Sequence, residues 1–492
     1  MGPPRREAPA AVAMLTPSHR TAILWLRRDL RFTDNLALRY ALEHADTIVP
    51  VYVHAPEEDE TWTPGAASHW WLHHSLCALC AQLVKRSSRL IVRRGPSLHA
   101  LEQLIEATGA TLVAWNRIYD PASRERDLRI ANALAERVEV HTANSSLLLE
   151  PGSVLNGENK PYRVFTPFWR LVSPRLDHAG DPWRAPRVFP APEQWPESLA
   201  LSELELLPAI DWAAAFAKDW RPGEAGALRR LKDFTGDVAR YETSRDRPDH
   251  SGTSRLSPHL HFGEIGPRQI LAELRASGSK SAAAYLRQIG WREFAHQLLF
   301  HFPATTEQPM DARFARMHWS RSKASLRAWQ RGLTGYPLVD AGMRQLWQTG
   351  WMHNRVRMIV ASFLIKNLQH HWLEGARWFW DTLVDADLAN NTMGWQWTAG
   401  CGADAAPYYR IFNPMLQTER YDPQHRYIRQ WVPELARLPD RWIHEPWTAT
   451  AEVLAAAGVA LGKNYPRPIV DFRESRDAAL AGYQRIREPA AP

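Results

Sequence analysis

Cysteine is scarce in this 492-residue chain, with three thiols in all. No disulfide framework can staple it, which fits a reducing cytoplasm. Cys77-x-x-Cys80 has no second pair and lies in a helical pattern with Trp71, Leu72, Leu76 and Leu79, so both thiols are expected as small buried hydrophobes rather than a zinc or redox site. There is no H-E-x-x-H, and His73-His74, His259-x-His261 and His370-His371 lack acidic partners, so no metal is expected. No run of about 18 apolar residues exists, which excludes a membrane-crossing helix. G-x-G-x-x-G is missing too, so a Rossmann-type dinucleotide site has no support. No internal repeat is evident. Residues 1–20 lack the continuous apolar stretch of a secretion signal and read as a disordered tail.

What is present is a globular composition, 45% hydrophobic and 23% charged, in a chain too long for one ordinary core. The net charge of +7 permits a polyanionic partner, and arginine, the dominant base, suits phosphate with its planar fork. Tryptophan is the outlier at 23 copies. Roughly two thirds are expected in the core, the rest to stack bases or a cofactor or to carry electrons.

Residues 21–145 alternate strands (22–26, 48–54, 89–93, 111–116, 138–142) with helices (35–44, 67–86, 97–108, 121–137). That order predicts a doubly wound parallel five-stranded sheet, an α/β domain whose ligands sit beyond the C-terminal strand ends. Those ends carry Arg27–Asp34, His54–Glu60, Gly95 and Asn116–Asp120. Residues 146–210, rich in Pro, Trp and charge, read as a long surface linker. From 211 to 485 helical periodicity dominates and predicts an all-α domain, with 486–492 as a tail.

Four blocks carry chemistry. Gly252–Gly263 brings three hydroxyls, Gly252 and Arg255 together just before a helical pattern, a combination that makes an anion cradle or an ordinary capped loop. Gln288, Trp291 and Arg292 share one helical face, as do Trp351, Asn354, Arg355 and Met358. Either face suits a base with its phosphate, or a plain helix contact. Asp385–Trp397 packs two acids, two asparagines and two tryptophans into thirteen residues. Buried acids need partners, and Arg357 is the obvious one.

In order and spacing these blocks, with Trp25-Leu26-Arg27-Arg28-Asp29-Leu30-Arg31, resemble the DNA photolyase and cryptochrome family from residue 21 to about 485. The nearest likeness is to the bacterial class I enzymes that repair cyclobutane pyrimidine dimers. The resemblance implies FAD held by Tyr241, Thr253, Ser254, Arg255, Leu256, Ser257, Tyr285, Trp351, Asn354, Arg357, Asp385, Asp387 and Asn391. It implies a lesion pocket of Gln288, Trp291, Asn354, Met358 and Trp397, with Arg245, Arg292, Arg355 and Arg410 on DNA phosphates. Trp395, Trp372 and Trp319 match the family's electron-transfer chain. The implied reaction is electron transfer from light-excited reduced FAD to a dimer flipped out of UV-damaged DNA, in a monomeric bacterial protein.

One position departs. The family's dimer-repair enzymes usually carry Glu where Gln288 stands. An amide donates N–H but cannot give up a proton, so dimer repair with a reduced quantum yield is expected. Enzymes for the (6-4) photoproduct use Gln there, but with histidines at the positions of Asn354 and Met358. An antenna pigment, methenyltetrahydrofolate or a deazaflavin, would touch Asn116 and Asp120, although Asp120 stands where folate enzymes carry Glu. Rival functions are a cryptochrome-like blue-light photoreceptor, a (6-4) photolyase and a basic structural DNA binder. Bound flavin separates the last from the others.

Overall fold

The computed structural model describes residues 20–176, 179–405 and 409–488. Most of the two expected tails therefore lies outside the described residues, although a helix persists to Arg487.

Five strands, β1 (Thr21–Leu26), β2 (Thr47–His54), β3 (Ile91–Arg94), β4 (Leu112–Asn116) and β5 (Glu139–Ala143), form one parallel sheet in the order β3-β2-β1-β4-β5. β1, β2 and β4 are buried on both faces, which is why they read as unbroken apolar runs rather than as alternation. Helices α1 (Leu36–His44) and α2 (Ala66–Val84) cover one face; α3 (Ser97–Thr108) and α4 (Pro121–Leu134) cover the other. Strand order reverses between β1 and β4, the place where such sheets open a crevice. Here Arg27 pairs with Asp127 and Arg28 with Asp120, so two ion pairs fill it.

The second domain is helical. Its main members are α6 (Glu224–Asp237), α7 (Pro267–Ala276), α8 (Ala282–His301), α9 (Pro337–Thr349), α10 (Asn354–Ser362), α11 (Trp372–Thr382), α12 (Leu388–Ala399) and α13 (Phe472–Arg487). A π-helical turn, Phe363–Asn367, ends α10. The segment expected to be a surface linker is partly core instead. It contains α5 (Phe165–Leu176), whose Phe165, Phe168 and Val172 pack with Phe294 and Leu298 of α8.

The loop after β1 docks the two domains. Leu30 donates to the carbonyl of Phe262, Arg31 to that of Gly263, and Glu224 accepts the amides of Phe32 and Thr33. Gly263 has φ 63°, and a Cβ there would stand 2.1 Å from the carbonyl oxygen of Arg28. Only glycine allows both that backbone angle and that approach.

Two composition-based expectations need correcting. Eleven of the 23 tryptophans are buried, fewer than two thirds, which leaves more of them part-exposed on or near the surface. Cys77 is exposed and Cys80 half-buried, because that stretch of α2 turns toward solvent; only Cys401 is buried. Among the described residues no helix is long and apolar enough to cross a membrane, and no His, Cys, Asp and Glu group suits a metal.

Candidate functional site

The loop before α7 builds one end of the site. Arg255 takes φ 51°, a left-handed conformation that costs a non-glycine residue energy and turns the chain sharply. Its guanidinium lies 4.6 Å from the ring centre of Trp220 and 4.7 Å from that of Trp351. The Ser254 hydroxyl meets the Tyr285 hydroxyl at 2.7 Å, and Tyr241 packs edge-on against Tyr285. Leu256 is wholly buried beside them, so its side chain serves packing alone. Ser257 opens a helix of only five residues and is exposed. Gly252, Thr253 and Ser254 border a cavity of about 780 Å³, whose other wall includes Arg229 and Arg230 of α6. Hydroxyls, backbone and guanidinium groups around a volume of that size fit a phosphate-bearing cofactor.

The other end lies where α10 meets α12. Arg357 pairs with Asp385 at 2.8 Å and donates to the carbonyl of Met352. The carboxylate is buried; the guanidinium is 22% exposed, so one side of the pair stays open. Asp387 caps α12 by accepting the Asn390 amide at 2.9 Å and stands 3.6 Å from both His261 and His296. Asn391 spends one N–H on the carbonyl of Ala376 and keeps its oxygen and second N–H for a ligand. Asp385 and Trp351 therefore converge with Arg357 and Arg255, while Asp387 and Asn391 lie at the start of α12, Asp387 beside His261 and His296. These unlike groups suit a polar, planar ring system.

At the mouth, Arg245 donates to the Gln288 side-chain oxygen at 3.2 Å, and the Gln288 amide donates to Ala284 one turn back. Asn354 and Met358, a turn apart on α10, face the same way, with Nδ2 4.0 Å from Sδ. Arg355 pairs with Asp246 at 2.9 Å and lies over the Tyr421 ring. Trp291 stacks on Phe165 with centroids 3.7 Å apart and planes 9° from parallel. The Phe165 amide donates to the Asp404 carboxylate, and the Asp404 carbonyl accepts the indole N–H of Trp397. One aromatic residue in the supposed linker thus holds both tryptophan walls. Sequence inspection missed it, though the aromatic spacing Phe165-x-x-Phe168-Trp169 signals a packed helix face.

Arg292 is not at the mouth. It is 11% exposed and donates to the Ser146 carbonyl, so the expected phosphate contact is corrected to an interior strut. Arg410 is exposed, 6.0 Å above Trp397.

Trp395 is buried, and a Cβ on Gly375 would stand 2.0 Å from its ring, so the first turn of α11 lies directly on the indole. Trp372 begins that same turn and is buried. His371 lies 5.5 Å from Trp372 and 5.2 Å from Trp319, which is half-exposed. The three tryptophans therefore run from α12 toward the surface.

Asn116 is not free to meet an antenna. Its amide donates to Asp29 and Asn35 and accepts from Ala37 and Ser145, which exhausts its capacity. Asp120 is held by Arg28. A small cavity of about 90 Å³ lies instead between the sheet's end and the helical domain, among Arg28, Tyr52, His54, Asp59, Arg126 and His261.

Residues 22–191 match the DNA photolyase family, and residues 285–485 match the FAD binding domain of DNA photolyase. The chain is 46% identical to a deoxyribodipyrimidine photo-lyase of Agrobacterium fabrum, over 95% of this chain and 98% of that protein. It is 40% identical to cryptochrome-2 of Arabidopsis thaliana, over 95% of this chain and 79% of that one. A solved bacterial class III photolyase from Agrobacterium tumefaciens superimposes with TM-score 0.93 at 45% identity, covering 98% of this chain and all of the other. The expected class I likeness is thereby corrected to class III.

Proposed function

Because the chain belongs to the DNA photolyase and cryptochrome family, we propose that it is a light-driven, FAD-dependent DNA repair lyase acting on cyclobutane pyrimidine dimers. Reduced FAD, once bound and excited by blue light, supplies the electron that opens the dimer. The protein's part is placement. Arg229, Arg230, Thr253 and Ser254 hold the phosphate end, while Arg357, Asp385 and Asn391 hold the ring. Trp291 and Trp397 form the walls for an extruded base pair, and Asn354 offers an N–H to a base edge. Photolyases as a class flip their target out of the duplex, and these walls supply the aromatic stacking that a flipped base requires. Arg245 and Arg355 lie beside Gln288 and Asn354, where the DNA backbone must pass.

The observation that carries the proposal is the clamp through Phe165, which ties Trp291 and Trp397 to one another. Lesion choice follows from the mouth: Asn354 and Met358 stand where (6-4) enzymes carry histidines. The reduced protein is illuminated with an oligonucleotide bearing a thymine dimer, and recovery of base absorbance is followed beside a (6-4) substrate. Dimer repair alone is expected; repair of only the (6-4) substrate defeats the proposal. Likeness to cryptochrome-2 supports a photoreceptor as the second reading, and flavin photoreduction without repair of either lesion would favour it.

An antenna pigment, a folate or a deazaflavin, belongs in the interdomain cavity rather than at Asn116. At about 90 Å³ that cavity is smaller than ordinary ligand pockets, so entry requires the Arg28–Asp120 side chains to move. Absorbance of pigment released from the purified protein tests this, with Arg28→Ala changing retention and Asn116→Ala acting only through stability.

A further inference from the structure

Between the π-helical turn and α11 the chain makes a tight bend, Leu368–His371. Gln369 takes φ 54°, a left-handed conformation that costs a non-glycine residue energy. Its carbonyl accepts the amide of Ser320, the residue after Trp319, at 2.7 Å. His370 is buried, and its Nε2 meets the Ser325 hydroxyl at 2.9 Å. The bend therefore grips the stretch that carries Trp319 at two points, and His371 adds a third. Its ring lies against Trp319 with centroids 5.2 Å apart and planes at 75°, and against Trp372 with centroids 5.5 Å apart and planes at 30°. His371 also caps α11, its Nδ1 accepting the Leu373 amide at 3.1 Å. That acceptance places the proton of a neutral ring on Nε2. Burial lowers the imidazole below the ordinary histidine value, and Arg377 adds to this against the opposing Glu374. The positive end of the helix it caps disfavours a cation as well. A neutral aromatic ring thus stands in contact with the middle and outer tryptophans.

We propose that His371 is a positioning residue of photoreduction, whose ring bridges Trp372 and Trp319 and keeps the outer indole within electron-transfer reach of the middle one. The inference rests on the tryptophan chain assigned above. In photoreduction Trp395 gives one electron to light-excited oxidised flavin. Trp372 refills Trp395, Trp319 refills Trp372, and a thiol from solution, itself oxidised, refills Trp319. Of these transfers only the one between Trp319 and Trp372 crosses the imidazole. Electron transfer between rings weakens steeply with the empty gap between them, and a ring in contact with both shortens that gap. A neutral ring does so without repelling the positive charge left on an oxidised indole. A helix cap alone accounts for the Leu373 contact, but serine or asparagine caps as well without a ring. Capping therefore leaves unexplained an aromatic cap seated against two tryptophans of the chain.

The test sets His371→Asn, which keeps the cap and removes the ring, against His371→Phe, which keeps a ring and removes the cap. The FAD-loaded proteins are illuminated in the oxidised state with dithiothreitol, and transient absorbance follows the oxidised tryptophans. His371→Asn should match wild type in urea unfolding yet lose about tenfold or more in the yield of oxidised Trp319 and in photoreduction rate, as small displacements of reacting groups do. His371→Phe should unfold at lower urea yet photoreduce within about threefold of wild type. The reverse order, with His371→Asn fast and His371→Phe slow, makes the residue a cap alone and overturns the proposal. Should His371→Asn fail to fold, His371→Ser, another cap without a ring, takes its place. In the dark, nitrogen-15 NMR of labelled histidine should show His371 as the neutral Nε2–H tautomer at about pH 7.5, and an imidazolium there also overturns the proposal. Trp319→Phe separates the two readings. Photoreduction lost in Trp319→Phe but kept in His371→Asn sinks the bridge and leaves the tryptophan chain standing; photoreduction kept in Trp319→Phe sinks the chain and the bridge with it.

Discussion

At position 288 an amide stands where a carboxyl group would carry one transferable proton. Gln288 is also engaged, accepting from Arg245 and donating to Ala284. Glutamate there would keep the Arg245 contact and strengthen it as a charge-assisted bond. In its protonated form, which gives up that charge-assisted bond, the carboxyl group would instead offer the dimer a proton that the amide cannot. Gln288→Glu should therefore raise the dimer-repair quantum yield, measured as dimers split per photon absorbed by reduced FAD. An unchanged or lower yield would remove Gln288 from the account. Asp385 makes the complementary case. It is the buried counter-charge of Arg357, and Asp385→Asn keeps the shape while removing the charge. An Arg357 left without its partner should bind the flavin ring poorly, so FAD retention after gel filtration should drop by about tenfold, about 1.4 kcal/mol. Full retention would show that the pair is structural only.

Helix α5 is the element whose importance was least visible beforehand. Its surroundings are rich in proline and charge, which made 146–210 resemble a linker, and periodicity over twelve residues was too short to overrule composition. By contrast the sheet and its four covering helices were legible almost to the residue, because parallel strands buried on both faces leave unbroken apolar runs. The Arg357–Asp385 ion pair was legible too, since acids beside a tryptophan-rich helix demand a counter-charge and Arg357 supplies it. Arg292 was not, because adjacent residues on a helix point different ways and sequence cannot tell an inward guanidinium from an outward one. The clamp through α5 gives a sharp expectation. Phe165 is fully buried and stacked on Trp291, so Phe165→Ala should cost about 3–5 kcal/mol as a cavity and loosen the Trp291 wall, while the backbone link through Asp404 to Trp397 persists. Repair should fall through weaker binding of dimer-containing DNA, while FAD absorbance stays intact. Equal loss of flavin and of DNA affinity would mean general unfolding rather than a loosened wall.

Across the whole molecule, the two domains meet at the loop seated against Gly263 and again where Trp71 donates to Glu264 and Trp380 to Thr63, and the buried titratable groups decide how that assembly answers pH. Burial pushes His353 down to about 4 and His54 likewise to about 4, while it raises Glu293 to about 7. The signs differ. Unfolded histidine takes a proton near pH 6.5, so between there and pH 4 the unfolded chain binds protons that native His353 and His54 refuse. Stability from these two is complete above pH 6.5 and declines as pH falls. Glu293 accepts the amides of Leu148 and Leu149, but burial still keeps its proton on to higher pH than in the unfolded chain. Its contribution is complete at low pH and is lost as pH rises toward 7, which offsets part of the histidine effect. A substitution isolates one term. His353 caps α10, the helix that carries Asn354, Arg355 and Arg357, by accepting the Arg355 amide. Asparagine is an equally good cap and does not titrate. His353→Asn should thus match wild type at pH 7.5 and lose less stability on acidification to pH 5, with urea-induced release of FAD fluorescence as the readout. The advantage of the variant should grow by up to about 1.4 kcal/mol for each pH unit below 6.5. Parallel acid limbs for the two proteins would mean that His353 takes up its proton in the folded state, and that α10 is held by its packing rather than by a neutral imidazole at its start.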